Sequence, residues 1–351
     1  MSVKGYKAFN KGMICRGKQY EENTTYEESG NKICEAGVMH FCENPFDVLN
    51  YYQLVDENGD ISDFADVEAI GDVYKKGDKT ATNKLHIGAK LGLKGFIKAC
   101  VDFTIEKTRI EPVKDNETDS GGDSAQIGSS GNSAQIGSSG DSAQIGSSGN
   151  YAKIGSSGNY AKIGSSGDYT KIGSSGYSAQ IGSSGNYAQI GSSGNYAQIG
   201  SSGDYTKIGS SGDYTKIGSS GYSAQIGSSG NYAQIGSSGN YAKIGSSGDY
   251  TKIGSSGYSA QIGSSGDYAQ ITSEGKNSVV MAAGYNSIAK AKIGSWITLA
   301  EWIRTDKAND SGNYIWIPKC VKTEYVDGER IKEDIFYKLV DGEFKEVEGE
   351  E

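Results

Sequence analysis

The nonapeptide YAKIGSSGN at residues 151–159 is one of seventeen near-identical units, and this repeat decides the fold of the chain. Each unit carries one isoleucine, and these recur every nine residues from Ile127 to Ile271 without a slip. A strict short period with one large apolar residue per unit is typical of repeat proteins in which each unit packs on its neighbours. The repeats therefore predict an ordered rod, although a glycine-rich composition without such a period would suggest disorder.

The order of residues within the unit predicts a short strand followed by a turn. Side chains alternate between the two faces of a strand, so Ala or Thr, Ile and the first Ser share one face. Tyr, Lys or Gln, and the first Gly then point to the opposite face. The Ser-Ser-Gly-Asn/Asp segment predicts a turn in which Gly and Asn or Asp adopt positive φ and the serines bond at the corners.

Two units are needed for one coil, because nine residues are too few to enclose a core. The predicted fold is mainly β: a parallel β-solenoid with two nine-residue repeats per coil, over residues 119–275. It lies between a small α+β N-terminal domain, residues 1–118, and a β-rich C-terminal cap, residues 276–351. Seventeen units give about eight and a half coils, a rod roughly 40 Å long at the usual strand spacing.

Side chains eighteen residues apart stack in such a coil, which predicts two ladders of exposed tyrosines. Serines interrupt the ladders at Ser178, Ser223 and Ser259. Tyrosine is enriched at interfaces, but aromatic ladders also stabilise stacked strands without a partner, so both interpretations stay open. The candidate partner-binding residues are Tyr151, Tyr160, Tyr169, Tyr187, Tyr196, Tyr205, Tyr214, Tyr232, Tyr241, Tyr250 and Tyr268, with Lys153, Lys171, Lys207 and Lys243.

Charge and cysteine content limit the classes of partner and compartment. The net charge is −9, the charges within the repeats balance, and the tail from Glu324 is acidic. No basic stripe runs along the repeats, so direct nucleic-acid binding is not expected. Five dispersed cysteines without a signal peptide favour a reducing cytoplasm, and no apolar run is long enough to cross a membrane.

Metal and catalytic sites are not expected. Calcium-binding nonapeptide rolls need a carboxylate in nearly every turn, whereas the turn position here alternates among Asp, Asn and Tyr. Cys15, Cys34, His40 and Cys42 lack the paired spacing of a structural zinc site. The same residues show no third group that would orient a Cys–His nucleophile. We therefore expect no cofactor, no metal and no catalytic residue.

The flanking segments predict ordinary secondary structure. Asn44-Pro45 begins a helix, strands cover 67–70 and 85–87, and the apolar spacing from Leu93 to Thr108 predicts a second helix. Residues 109–122 are expected to be a polar linker. Beyond the repeats, the apolar segment at 296–302 suits a coil cap, and Asp327-Gly328 and Asp341-Gly342 predict hairpins.

Several short segments resemble an uncharacterised family encoded by phages, prophages and gut bacteria. These are KGYKAFNK at 4–11, CRGKQYE at 15–21, HFCENPFDV at 40–48 and, in the tail, VDGERIKED at 326–334. The order of domains is also similar, with variable nine-residue repeats between the two ends. Where we would expect one aromatic between Gly37 and His40, this chain has two residues, Val38 and Met39. The resemblance implies a phage-linked setting and brings no catalytic residues.

Three functions follow as hypotheses. The first is a non-enzymatic phage or prophage protein whose solenoid presents a Tyr/Lys/Gln surface to a protein partner in the bacterial cytoplasm. Its sharpest form is a counter-defence inhibitor of an immunity effector such as a CRISPR or restriction nuclease. The second is a structural virion or fibre spacer, and the third is an enzyme with its activity in residues 1–110. Homo-oligomers are compatible with each of them.

Overall fold

The computed structural model describes residues 2–30, 37–56, 59–107, 117–308 and 314–349. The chain is mainly β, and a parallel β-solenoid of about ten turns lies between N- and C-terminal β-rich domains, as the repeats predicted. No helix among these residues is long and apolar enough to span a membrane.

The N-terminal domain is built on two small antiparallel sheets. One has the order β1-β6-β9-β4 and the other β5-β8-β7, while β2 and β3 form a hairpin. The strands are β1 Val3–Phe9, β2 Ile14–Cys15, β3 Lys18–Gln19, β4 Thr24–Glu27, β5 Met39–Phe41, β6 Asp63–Ala69, β7 Val73–Lys76, β8 Lys79–Thr82 and β9 Lys84–Lys90. A 3₁₀ helix covers Pro45–Asn50, and helix α1 covers Gly92–Lys107.

The structure of this domain follows most of the local sequence signals for helices and strands. The side chain of Asn44 caps the 3₁₀ helix by accepting a hydrogen bond from the Phe46 N–H at 3.1 Å, with Pro45 in the first turn. Strand β6 covers residues 67–69 of the strand predicted at 67–70, β9 includes the strand predicted at 85–87, and α1 covers the predicted second helix as far as Lys107. The helix that begins at Pro45 is a single short 3₁₀ segment.

The solenoid consists of four-residue strands that alternate between two sheets. They are β10 Glu117–Ser120, β11 Gln126–Ser129, β12 Gln135–Ser138, β13 Gln144–Ser147, β14 Lys153–Ser156, β15 Lys162–Ser165, β16 Lys171–Ser174, β17 Gln180–Ser183, β18 Gln189–Ser192, β19 Gln198–Ser201, β20 Lys207–Ser210, β21 Lys216–Ser219, β22 Gln225–Ser228, β23 Gln234–Ser237, β24 Lys243–Ser246, β25 Lys252–Ser255, β26 Gln261–Ser264, β27 Gln270–Ser273, β28 Val279–Ala282 and β29 Ile288–Ala291. Even-numbered strands pair only with even-numbered ones, and odd with odd. We call the even-numbered set the open sheet and the odd-numbered set the covered sheet.

The register confirms eighteen residues per coil. Ile154 pairs with Ile172 in the open sheet, and Ile163 pairs with Ile181 in the covered sheet. These isoleucines, with the Ala or Thr two positions earlier, form one continuous buried core along the rod. One large side chain per nine residues is sufficient because each coil is buried by the coils above and below it.

The inward serines behave differently from the prediction. In the central coils the Ser two positions after each Ile is buried, as at Ser156 and Ser165, and its hydroxyl makes no hydrogen bond with any described residue, whereas Ser129 and Ser273 near the ends of the rod each form one. The corners are held instead by backbone groups and by Asn or Asp side chains. Asn159 N–H, for example, donates to Asp141 Oδ1 of the preceding coil at 2.7 Å.

The turn also corrects the prediction about φ and about the tyrosines. The strand ends before the tyrosine, so Tyr151 and its equivalents lie in the turn and not on a sheet face, and they are the residues with positive φ (60° at Tyr151). Gly158 is needed for another reason: a methyl group built there would lie 1.9 Å from the Gly140 carbonyl oxygen. The turn glycines therefore permit close stacking of coils.

The repeat architecture extends beyond the nine-residue motif at both ends. The predicted linker covers residues 109–122. Residues 117–120 of it form strand β10 and pair with β12, and residues 109–116 lie outside the described residues. At the other end, β28 and β29 keep the register although their sequences have lost the motif.

The C-terminal cap adds four strands, two to each sheet. They are β30 Trp296–Ala308, β31 Tyr314–Tyr325, β32 Phe336–Val340 and β33 Glu343–Val347. Strand β30 extends the open sheet in parallel, and β32 closes the covered sheet antiparallel to β29. Asp341-Gly342 forms the predicted β32–β33 hairpin with both residues at positive φ.

The expected hairpin at Asp327-Gly328 is wrong. The chain crosses from the open sheet to the covered sheet at this point, so β31 and β32 do not pair with each other. The Asp327 carboxylate accepts hydrogen bonds from the N–H groups of Glu329, Arg330 and Ile331. Asp-Gly indicates a tight turn but does not specify which strands the turn connects.

Candidate docking faces of the solenoid

The outer face of the covered sheet carries a row of glycines that receives the N-terminal domain. Helix α1 runs along this row and places a side chain against the glycine of each coil that it crosses from Gly182 to Gly236. A methyl group built on Gly218 would lie 3.0 Å from Ile97, and one on Gly236 would lie 3.4 Å from Leu93. One helical turn rises about 5.4 Å and neighbouring strands lie about 4.8 Å apart, so the two periods match over three or four coils. The glycine row is thus a groove that fits a helix.

The open sheet has the same glycine row with no helix on it. A methyl group built on Gly155, Gly173, Gly209, Gly227 or Gly245 would have no atom within 4 Å outside its own chain neighbours. These glycines are exposed, whereas their counterparts on the covered sheet are buried. These glycines form the floor of a shallow groove of about 1740 Å³ that runs from Gln135 to Met281 and is largely open to solvent. We call it the open groove.

The row of Lys and Gln beside each glycine row differs in the same way. On the covered sheet, Lys216 Nζ donates to the Leu49 carbonyl, and the Gln234 side chain accepts from Leu54 N–H at 3.1 Å. Burial lowers the pKa of Lys216 to about 8. On the open sheet, Lys153, Lys171, Lys207 and Lys243 are exposed and form no ion pair with any described residue. The residues that line the open groove include no carboxylate.

The tyrosines form two ladders along the edges where the chain passes between the sheets. Rings eighteen residues apart stack nearly parallel, as Tyr214 does on Tyr232 at 4.8 Å between centroids. The expected gaps at Ser178, Ser223 and Ser259 are filled, because a tyrosine one residue earlier takes the place in the ladder. These tyrosines are Tyr177, Tyr222 and Tyr258. One ladder continues through Tyr285 to Trp316 in the cap.

Exposed apolar residues continue the open groove at the C-terminal end. Val279 and Met281 replace Lys or Gln and Gly in β28 and are 49% and 44% exposed. The next strands of the open sheet add Trp296 and Tyr325, whose rings lie 5.1 Å apart. The open face therefore changes from a cationic glycine groove to an apolar aromatic patch at one end.

The sequence-predicted residues separate into two groups. All four candidate lysines lie together on the open sheet, since they are separated by multiples of eighteen. The tyrosines are divided between the two edges. Sequence reasoning missed the glycines, although a Gly at a strand position without positive φ is a signal of close approach by another group.

Potential metal ligands do not form a cluster in the described residues. No group of three or more potential metal ligands is present there, and Cys34 lies outside them. Burial raises the pKa of the Cys42 thiol to about 12 and, together with Lys7 and Lys79, lowers the pKa of His40. A thiol with a raised pKa is a poor nucleophile, so Cys42 does not have the properties of an activated cysteine.

The fold and the faces define the chain as a two-sheet β-solenoid protein with an N-terminal domain docked on one sheet. A family described as a domain of unknown function (DUF7666) matches residues 3–99. No curated protein and no solved structure matches the chain.

Proposed function

We propose that this chain is a non-catalytic protein-binding module, and that its open groove binds an acidic amphipathic helix of a partner protein. One observation carries the proposal: the same glycine groove is present on both sheets, and the chain itself places a helix in one of them. Helix-in-groove binding through apolar residues at three- and four-residue spacing is a common mode of recognition.

The chemistry of the partner follows from the residues that border the groove. The floor is narrow and accepts Leu, Ile, Val or Thr side chains, as Leu93, Ile97 and Thr104 show on the covered sheet. The flank carries four unpaired lysines, so a helix with Glu or Asp on that side is favoured. A second copy of the chain is disfavoured, because two open faces would bring eight lysines together without a carboxylate.

The glycine row itself supports a binding role. Glycine is a poor strand former, and the open-sheet glycines have neither a positive φ nor a close contact that requires them. A larger residue is tolerated at this position, since Met281 occupies it in β28. Copying of units during repeat expansion also produces such glycines, and the variants below separate the two explanations.

The test uses a labelled synthetic peptide of residues 92–107 carrying the changes F96E, K98E and C100A. It keeps Leu93, Ile97 and Thr104, which face the glycine row on the covered sheet, and adds acidic flanks. We expect saturable binding to the intact chain by fluorescence anisotropy. The peptide is not expected to displace α1, because the attached helix has a high effective concentration.

Two sets of variants make the test specific. The triple change G191V/G209V/G227V fills the open groove and is expected to abolish binding while the chain stays folded. The double change K171E/K207E is expected to weaken binding of the acidic peptide at least tenfold. The same variant should bind a second peptide that carries Lys in place of the flanking Glu residues. Absence of saturable binding, or equal binding to the groove-filled variant, would refute the proposal.

The phage setting, the counter-defence role, the virion spacer and an enzyme in residues 1–110 stay predictions of the sequence. The helix-binding proposal does not depend on any of them. The same holds for the cytoplasmic location.

A further inference from the structure

The N-terminal domain contains a separate pocket of about 420 Å³ on the side of β1 and β5. Its lining comes from β1, the β2–β3 hairpin, β5, the segment after the 3₁₀ helix, and the start of β8. This volume lies within the usual range for small-molecule sites. The pocket is distinct from the open groove, so the two proposals can fail independently.

Positive charge dominates the lining. Four of the lining residues are cationic, namely Lys7, Arg16, Lys18 and Lys79. Among the described residues that line the pocket, Glu28 is the single acidic one. Lys18 and Glu28 neutralise each other in an ion pair of 2.7 Å. Three cations thus remain in a chain whose net charge is −9. Such local concentration against the overall charge points to an anionic ligand.

Lys7 is the buried cation of this pocket. It is 6% exposed, its Nζ donates to the His40 carbonyl at 2.9 Å, and the centres of the Phe9 and Tyr20 rings lie 5.4 and 5.7 Å from it. No carboxylate of a described residue lies within ion-pair distance of it. An ammonium group buried without a counter-ion is strongly unfavourable, and burial accordingly lowers the pKa of Lys7. A bound anion would provide the missing counter-charge.

The remaining groups fit the same ligand. His40 Nε2 is buried and has no hydrogen-bond partner among the described residues. Tyr20 and Tyr52 contribute aromatic surface, and Lys79 lies 3.8 Å from the centre of the Tyr51 ring at the rim. The pocket therefore brings together a buried cation, an imidazole without a hydrogen-bond partner at Nε2 among the described residues, and ring faces.

We propose that this pocket binds a small phosphate-bearing molecule, with Lys7 as the buried contact to the phosphate and Arg16 and Lys79 at the rim. A dianionic phosphate matches three cations better than a single carboxylate does. No chemical step is implied. The role is ligand binding within the domain of unknown function.

The test is isothermal titration calorimetry of the intact chain with inorganic pyrophosphate, inorganic phosphate and citrate at fixed ionic strength. We expect pyrophosphate or phosphate to bind with a Kd at least tenfold below that of citrate. The variant K7M is expected to lose at least tenfold in affinity while its melting temperature without ligand rises, because a buried charge is removed. The exposed Lys4 on the same strand gives the control K4M, which should bind as the wild type does.

A second readout is independent of the folding of K7M. The chain has two histidines, His40 in the pocket and His86 on β9. A bound anion should raise the pKa of His40 in an NMR titration and leave the ring chemical shifts of His86 at constant pH unchanged, and the rim variant K79Q should reduce the rise at His40. Equal affinity for citrate, unchanged binding by both K7M and K79Q, or an unchanged His40 would overturn the proposal.

Discussion

The two sheets of the solenoid are nearly identical in sequence but differ in surroundings. On the covered sheet, glycines receive α1 and the half-buried Lys216 donates to the Leu49 carbonyl of the 3₁₀ helix. On the open sheet, the equivalent glycines and lysines are exposed. The difference teaches that a repeat unit does not determine its own role, because the same residue is a packing position on one face and a free surface on the other.

The largest effect should come from glycines that have the same role on both edges. We expect Gly212→Ala and Gly221→Ala each to destabilise the chain by about 3 kcal/mol or more, since the new methyl group would meet a carbonyl oxygen of the previous coil at 2.2 and 1.9 Å. Urea denaturation measures this. Unequal losses would show that the coils stack differently along the two edges and would weaken the comparison.

Strand glycines should separate the two faces. Gly218→Val on the covered sheet is expected to cost about 1–3 kcal/mol because it pushes against Ile97. The matched change Gly209→Val on the open sheet should leave stability unchanged or raise it by up to about 1 kcal/mol, since valine favours strands. Both are measured by denaturation, with limited proteolysis after α1 as a probe of docking. A destabilising Gly209→Val would mean that the open row has a structural partner.

The lysine rows give a smaller, pH-dependent contrast. Because burial lowers the pKa of Lys216 from its ordinary 10.5 to about 8, the unfolded chain binds more protons between these values. The stability contribution of this lysine therefore rises with pH in that window. We expect Lys216→Met to stabilise by on the order of 1 kcal/mol at pH 7 and less at pH 10.

Lys207→Met on the open sheet is the control for that experiment and should change stability little at either pH. Denaturation at both pH values checks the pair. A destabilising Lys216→Met with no dependence on pH would show that the hydrogen bond to Leu49 outweighs the buried charge.

The smallest effect concerns the ion pairs that fasten the N-terminal domain near the end of the covered sheet. Asp60 accepts from Lys11 and Lys290 at 3.1 and 3.0 Å. Burial raises its pKa, but these two cations more than offset burial, so the pKa of Asp60 is lowered. Asp60→Asn should cost about 0.2–1 kcal/mol at pH 7, and this loss should vanish as acid protonates Asp60 in the wild type. Melting curves of both proteins from pH 7 to pH 2 measure this difference. A stability loss in the variant that persists at pH 2 would contradict the prediction.

Much of the fold follows from arithmetic on the repeat. A nine-residue period with one inward Ile determines two sheets and an eighteen-residue coil, and the same arithmetic places Lys153, Lys171, Lys207 and Lys243 on one sheet. Strand alternation continued back from Lys153 predicts that the tyrosines lie on a sheet face, but the strand begins at Lys153 and the tyrosines lie in the turn. The periodicity cannot reveal where a strand ends when the turn residues also alternate.

The choice of covered sheet could not be predicted. Both glycine rows offer α1 the same groove, and the preference depends on contacts outside the repeats, such as those of Asp60 with Lys290 in β29. The pocket around Lys7 could not be predicted from the sequence either, because it is formed by residues that are far apart in the chain. The sequence marks His40 and Cys15 as potential metal ligands, but in the structure both residues line a pocket that also contains four cations.

Lysine footprinting by reductive methylation and mass spectrometry tests the docking face most directly. Without peptide, Lys171 and Lys207 should react rapidly and Lys216 slowly. With saturating acidic helix peptide, Lys171 and Lys207 should become protected while the lysines of the C-terminal tail react as before. Unchanged reactivity at Lys171 and Lys207 in the peptide complex would contradict the account.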